Sequence, residues 1–254
     1  MAELLDDWNN MNKNQWLIGI LWTISSLTAI GQQNFFNVPS SDITPQKKLF
    51  VQQQINATSF GLQSGTTFCF GLGHNFEIGA NVLGINYDYK NQFTLDKNAI
   101  PIAPVFALNA QKKIHVNEYW AWGLGGQLGI NPSFTNGLYA FSNLVYDQED
   151  SGTKFVSGLY YTSDSYFGPE TRNFSDQSGF NSIGIQLGLE QNLWKEKLVF
   201  QADFISGKHS LGELVVGGAY FLTKNWVISA GYQIPTFQSK SVQALVFELT
   251  FIPH

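Results

Sequence analysis

The chain has 254 residues, a length that suits one barrel or one medium-sized globular domain. Charged residues make up 13% of it, about half of the ~25% typical of soluble proteins, while aromatic residues reach 15%. The net charge of −5 with scattered lysines argues against nucleic acid as a partner, and no apolar run reaches the ~20 residues that a membrane-spanning helix needs.

The N-terminal residues have the pattern of an export signal. A basic start follows Met11, an apolar stretch covers Trp16 to Ile30, and small residues at Ala29-Ile30-Gly31 resemble a cleavage site. The ten residues before Met11 are acidic, the wrong charge for such a start. We therefore predict that a signal peptide begins at Met11, that residues 1–31 are absent from the mature protein, and that the mature chain begins near Gln32.

Residues 32–47 form an irregular lead-in to the rest of the chain. Pro39, the pair Ser40-Ser41, Pro45 and the pair Lys47-Lys48 all disfavour regular structure there. From residue 48 to residue 254 the sequence changes to segments in which apolar and polar residues alternate, and this part is predicted to form one domain.

The alternating segments predict about twelve β-strands. An even number suits a bacterial barrel with both chain ends on one side of the membrane. The acidic connection 147–153 is long for a turn, so a ten-strand arrangement that uses 137–163 differently stays open. The predicted strands are 49–58, 66–73, 76–86, 102–111, 119–130, 137–146, 154–163, 180–191, 197–206, 211–221, 226–233 and 242–252.

The connections alternate between short turns and longer polar loops. Short turns are predicted at 74–75, 112–118, 192–196 and 222–225, each followed by an apolar or aromatic residue, and longer loops at 87–100 and 164–179. Short turns at one end, longer loops at the other and aromatic residues at the membrane interface are typical of outer-membrane barrels.

Each strand has a large apolar face and a small or polar face. Trp120, Trp122 and Leu124 share one face of their strand, whereas Ala121 and Gly123 lie on the other. A secreted β-sandwich is the alternative, but its solvent face would carry more lysine and glutamate. The pattern favours a closed, all-β, antiparallel up-and-down barrel that contacts lipid with its outer face.

The C-terminal strand carries the clearest signal. Leu245, Phe247, Leu249 and Phe251 lie on one face of the last predicted strand, three residues from the end. With the export signal and the turn pattern, this segment resembles the outer-membrane β-barrel proteins of Gram-negative bacteria, including small porin-like channels. The resemblance implies a location in the outer membrane and a last strand that pairs with residues 49–58.

Acidic residues dominate the predicted lumen. By alternation, five carboxylates point inward, and no lysine or arginine lies in the middle of a predicted strand; the acids are Glu77, Glu190, Asp203, Glu213 and Glu248. A lumen of this charge would favour cations, although the acids could also be simply hydrated or paired with lysines in turns. Asp203 and Glu213 are expected almost opposite one another, where Lys208, His209 or a bound cation could neutralise them.

Neutral amides and glycines complete the predicted lumen. Gln127, Gln186 and Gln201 could guide a polar solute or hydrogen-bond within the wall. Inward glycines such as Gly123 and Gly188 leave space, which would either stay open or admit the lead-in or an outer loop as a plug.

No motif indicates an enzyme, a cofactor or a metal site. The lone Cys69 excludes an internal disulfide and is expected to pack in a strand. His209 beside Ser206 and Ser210, with Asp203 as a possible orienting group, is the only candidate for a hydrolase at the outer rim. The aromatic residues at 139–141, 160–161 and 166–167 are expected at the membrane interface, with sugar contact as the alternative.

The sequence therefore predicts a passive channel for small polar solutes or cations that has the lipid bilayer as its surroundings. The alternative is a non-conducting structural barrel that binds a protein partner through its loops, and an outer-rim hydrolase comes third.

Overall fold

The computed structural model describes residues 33–89, 92–94, 106–130, 136–148, 150–163, 183–194 and 197–254. The predicted export signal, most of the predicted loops 87–100 and 164–179, and residues 166–167 lie outside the described residues. No helix within these ranges is long and apolar enough to cross a bilayer.

The described residues form antiparallel strands in one continuous sheet. In chain order the strands are β1 (Leu49–Thr58), β2 (Gly61–Gly73), β3 (Phe76–Asp88), β4 (Gln92–Thr94), β5 (Phe106–His115), β6 (Trp120–Ile130), β7 (Asn136–Gln148), β8 (Thr153–Thr162), β9 (Ile183–Trp194), β10 (Leu198–Ile205), β11 (Glu213–Phe221), β12 (Trp226–Pro235) and β13 (Ala244–Phe251).

The sheet closes on itself into a barrel. Each long strand pairs with its neighbours in sequence, and β13 pairs with β1 in a register that sets Phe251 opposite Val51 and Ala244 opposite Thr58. The short strand β4 pairs only with β3 and extends that hairpin beyond the ring. The barrel wall therefore has twelve strands, and closure leaves it without an open edge.

The predicted strands are confirmed, with corrections to their bounds. β9 continues to Trp194, so the predicted turn at 192–196 begins too early, and β2 begins at Gly61 and not at residue 66. β7 and β8 are separate strands that pair with each other, so the ten-strand alternative is wrong. The predicted turn at 112–118 begins too early, because β5 continues to His115. Lys112 and Lys113 suggested a turn, but pairing with β3 and β6 keeps both in extended structure.

The two ends of the barrel differ. We call the end with the turns 74–75, 116–119, 150–152 and 222–225 the turn end, and the end with the connections 59–60, 206–212 and 236–243 the loop end. The turn between β2 and β3 is tight, with φ of 52° at His74 and 56° at Asn75, as a two-residue hairpin turn requires. The start of β1 and the end of β13 both lie at the turn end.

The outer face is apolar and exposed. Trp122, Leu128 and Leu245 are 47%, 50% and 50% exposed, although each lies within a paired strand of the wall. Aromatic side chains including Trp120 and Trp226 lie outside the barrel near the turn end. An apolar outer band with an aromatic border is the surface that a lipid bilayer covers.

Candidate functional site in the lumen

The lead-in occupies the lumen. We call residues 33–47 the plug. Its first part is a hairpin in which Asn34 pairs with Pro39, the Phe35 amide donates to the Val38 carbonyl at 2.9 Å, and the Ser40 amide donates to Gln33 at 3.1 Å. The sequence left two alternatives, an open lumen or one that contains a plug. In the described residues the lead-in occupies the space beside the inward glycines, so the lumen contains a plug.

The tip of the plug is bound by Asp203 on β10. Oδ2 of this carboxylate accepts the backbone N–H groups of Phe36, Asn37 and Val38 at 3.0, 2.6 and 2.8 Å. Successive amides that converge on one anion form a concave anion-binding site. Asp203 is 2% exposed, so these donors replace the water that it would otherwise bind.

The expected opposition of Asp203 and Glu213 is wrong in detail. The register sets Glu213 opposite Ile205 and Asp203 opposite Val215, so the two acids are diagonal neighbours. Neither needs a lysine: Glu213 Oε1 accepts the Asn37 amide group at 2.8 Å, and its Oε2 accepts the Ser241 hydroxyl. The plug thus supplies the donors that the sequence suggested would come from Lys208 or His209.

The second part of the plug runs along the wall to the turn end. Glu77 on β3 accepts the Thr44 amide at 2.6 Å and the Gln111 side chain at 2.7 Å, and is 0% exposed. The chain then leaves the lumen where Gln46 bridges to Gly71, and continues into β1.

An ion pair inside the lumen fixes the middle of the plug. The Lys154 ammonium on β8 binds the Asp42 carboxylate, and Lys113 lies 3.7 Å from the other oxygen of Asp42. Burial alone would raise the pKa of Asp42, but the charges of Lys154 and Lys113 outweigh it and hold the pKa below its usual value.

Lys154 brings a basic group into the lumen, although it lies at the end of its strand, as the sequence predicts for the basic residues. It lies at the second position of β8, points inward, and stands directly opposite Glu190 on β9. Sequence reasoning assigned it to a strand end. Its alternation with Val156 and Tyr160, which also face inward, was the signal that could have placed it in the lumen.

Two inward glycines make room for the plug. A Cβ on Gly188 would lie 2.1 Å from the Phe35 ring, and a Cβ on Gly123 would lie 2.1 Å from the Ser41 hydroxyl. The small residues of the inner face therefore match particular side chains of the lead-in.

The lumen contains an apolar cluster that sequence reasoning missed. Tyr139, Phe141 and Tyr160 were expected at the membrane interface, but they are 4%, 6% and 2% exposed and point inward. They pack with Phe35 and Val38 of the plug. Tyr161, the next residue along β8, is 44% exposed on the outer face.

The predicted lumen amides bond mainly within the wall. Gln186 donates to Asn143 at 2.6 Å and accepts from the Tyr139 hydroxyl, while Gln127 accepts from Asn81 at 2.7 Å. Asn143 in turn donates to the Pro39 carbonyl at 3.0 Å, which connects this network to the plug.

The described residues enclose two cavities inside the barrel, on either side of the plug hairpin. The larger, about 410 Å³, lies at the turn end and is lined by Glu190, Gln201 and Glu248 among others. The smaller, about 140 Å³, lies toward the loop end and is lined by Gln54, Asn81 and Gln127 among others. Asn34 and Gln52 line both cavities.

The candidate hydrolase group at the outer rim is not assembled. The His209 ring contacts the Tyr160 hydroxyl at 2.6 Å and is 4% exposed, while the Ser206 hydroxyl accepts the Ile185 amide at 2.8 Å. Asp203 binds the plug instead of orienting the histidine. Within the described part of the chain, no group of three or more His, Cys, Asp or Glu side chains could hold a metal ion.

Comparison with known proteins places the fold. The sequence matches no protein-family model and no curated protein. Among solved structures, the KdgM porin in complex with disordered oligogalacturonate is similar at a TM-score of 0.53 and 10% identity, over 81% of this chain and 99% of that one. The NanC porin is similar at a TM-score of 0.54 and 9% identity, over 82% of this chain and all (100%) of that one.

These similarities and the apolar outer face define the class: the chain has the fold of a transmembrane β-barrel. More particularly, it has the fold of twelve-stranded porin-like barrels, with its own N-terminal segment inside the lumen.

Proposed function

We propose that the protein is a passive channel for small polar solutes or cations, and that the plug holds it closed. The observation that carries this proposal is the pair of cavities that share Asn34 and Gln52 as lining residues. Water-sized space lies on both sides of the plug hairpin, so displacement of the hairpin would join the two cavities into a continuous path.

The manner in which the plug is held supports a displaceable element. Its tip is bound by Asp203, its middle by Lys154 and its end by Glu77, through hydrogen bonds and ion pairs. Such contacts exchange readily with water, whereas a covalent or wholly apolar attachment would not.

The charge of the lumen supports a preference for cations. Glu190 and Glu248 line the larger cavity together with Asp42 and Asp147, and among the described lining residues only Lys154 is basic. An excess of carboxylates on the wall raises the local concentration of cations and repels anions.

Planar-bilayer recording tests the proposal. We expect the wild-type barrel to conduct in brief events, and a variant in which residues 34–39 are replaced by glycine and serine to carry a steady current that favours potassium over chloride. Combined Glu190→Gln and Glu248→Gln should reduce that selectivity, whereas Glu118→Gln, in an exposed turn, should leave it unchanged. A silent plug variant that still migrates as a folded, heat-modifiable barrel would contradict the channel.

A non-conducting structural barrel is the second candidate. The apolar cluster around Phe35, Val38 and Tyr139 favours it, because an interior with a packed core resists opening. In that case neither the wild type nor the variant with residues 34–39 replaced would give a current in the bilayer. A protein partner would instead bind through the outer loops.

The start of the mature chain stays a proposal as well. A signal peptide from Met11 and a mature start near Gln32 would leave the plug at the N-terminus of the exported protein. N-terminal sequencing of the membrane-inserted protein tests this, and an intact Trp16–Ile30 segment would contradict it.

A further inference from the structure

The larger cavity has an apolar side. Val199, Ala219 and Val227, which lie on β10, β11 and β12, form a buried cluster that lines it, and Phe221 and Ile252 pack against this cluster. A water-filled passage for ions alone has no need of such a surface, which favours contact with hydrocarbon.

The same stretch of wall also presents buried acceptors without donors: Gln201 lies two residues along β10 from Val199, and Glu248 lies opposite Ser229, which is itself opposite Ala219. Glu248 on β13 is 5% exposed, and its Oε1 has no hydrogen-bond partner among the described residues. Gln201 on β10 is 8% exposed and donates to Glu190 at 2.6 Å, but its own Oε1 is likewise unpartnered within the described ranges. Buried acceptors left unsatisfied are costly, so a ligand that donates hydrogen bonds would be stabilised here.

The charge around these acceptors selects a cation. Lys154, the basic group among the described lining residues, is already bound to Asp42, so Glu248 has no fixed cation beside it. A bare metal ion fits poorly, because the described residues offer no cluster of three ligating side chains. An alkylammonium ion carries three N–H donors, no acceptor and an apolar body, and so complements both the acceptors and the apolar cluster of the cavity.

We propose that this cavity is a binding site for small aliphatic ammonium ions, with the ammonium group at Glu248, Gln201 as a second acceptor, and the alkyl chain on Val199, Ala219 and Val227. The proposal rests on the proposed channel function to the extent that it names the class of solute. The binding itself requires no conduction.

Isothermal titration calorimetry on the full-length folded barrel in neutral detergent tests the site. The probe is n-butylammonium chloride, compared with sodium butyrate and sodium chloride at equal ionic strength. We expect saturable binding of butylammonium only. Glu248→Gln should weaken it about tenfold or more, since the charge of the main acceptor is lost, while the exposed Glu118→Gln should bind as the wild type does.

A second variant tests the site independently, in case Glu248→Gln does not fold. Ala219→Leu keeps every charge and fills part of the apolar side, so it should also abolish butylammonium binding while the protein stays heat-modifiable. Equal heats for all three salts, or butylammonium binding that neither variant weakens, would overturn the site. Conductance of the same preparations separates the two proposals: binding without current overturns the channel alone, and current without binding overturns the site alone.

Discussion

Asp203 on β10 binds the backbone of Asn37 in the middle of the lumen, with 2.6 Å between the carboxylate oxygen Oδ2 and the amide nitrogen. The amides on either side of Asn37 donate to the same oxygen. One carboxylate oxygen of Asp203 therefore satisfies three amides at the tip of the plug, and these amides satisfy that oxygen. Neither group would be stable in the lumen without the other, because each would be buried without a partner.

Asp203→Ala should release the tip of the plug. Hydrogen bonds to a charged group contribute about 1.5–3 kcal/mol each, so loss of this anchor should raise the population of the displaced plug by tenfold or more. The measurement is the rate at which a thiol reagent labels Asn37→Cys, in the presence and absence of Asp203→Ala. The native Cys69 is 0% exposed and should contribute little background. Asp150→Ala, in an exposed turn, is the control; equal labelling rates in all backgrounds would contradict the anchor.

Gly188→Ala should expel Phe35 from its position. The added methyl group would lie 2.1 Å from the ring, and the ring, at 1% exposed, has little room to move. Overpacking of this kind costs about 1–3 kcal/mol, which should lower the temperature at which the compact gel band is lost. Phe35→Ala should restore that temperature in the double variant. Gly184→Ala serves as the control, because its methyl group would meet Tyr160 instead, and Phe35→Ala should not rescue it.

Lys154→Met should destabilise the middle of the plug. The lysine side chain is 7% exposed and binds Asp42, whose side chain is 40% exposed, so loss of the pair should cost about 1–3 kcal/mol. It should also leave Glu190, directly opposite, without a facing cation. Asp42→Asn in the same chain should recover part of the loss in a double-mutant cycle measured by thermal gel shift. Strict additivity of the two single changes would show that the pair does not interact.

The packing of the loop end should depend on pH through His209. Burial of its ring lowers the pKa of His209 to about 4, below the ordinary value of 6.5. The neutral ring is therefore the folded form. Its contribution to stability is complete above about pH 6.5 and is lost as the pH falls through about 4.

An NMR titration of the His209 ring in detergent measures this pKa directly. A midpoint near pH 4, well below the ordinary histidine value of 6.5, is expected, together with hydrogen exchange in residues 206–212 that quickens between about pH 6 and pH 4. A midpoint for His209 at the ordinary histidine value would show that the ring is accessible to water.

The strands could be predicted from the sequence because a two-residue period is a local property. The positions of Leu245, Phe247 and Phe251 predict a strand and its apolar outer face, and this prediction does not require the identity of the partner strand. The same alternation, applied to β7 and β8, puts Tyr139, Phe141 and Tyr160 on the inner face, where the structure has them. They were expected at the membrane interface because a water-filled lumen would leave no place for buried aromatic rings.

The sequence left a plug formed by the lead-in as one of its alternatives, but the contacts of the plug could not be predicted, because its partners are distant along the chain. Asp203 lies 167 residues from Phe36, and nothing near Phe36 indicates that its amide will meet a carboxylate. The sequence allowed two interpretations of Gly188: it could leave open space in the lumen, or it could make room for another side chain. Only the position of Phe35 in three dimensions separates them.

The distance along the chain between the plug and its anchor bears on the order of assembly. The segment that follows the predicted export signal is the first part of the barrel to be synthesised, yet Asp203 exists only after another 165 or more residues have emerged. Contacts this remote close slowly, because the intervening chain must first be ordered. We therefore expect the earliest segment of the barrel to be made to be among the last to reach its place, with the wall largely built before its interior is filled.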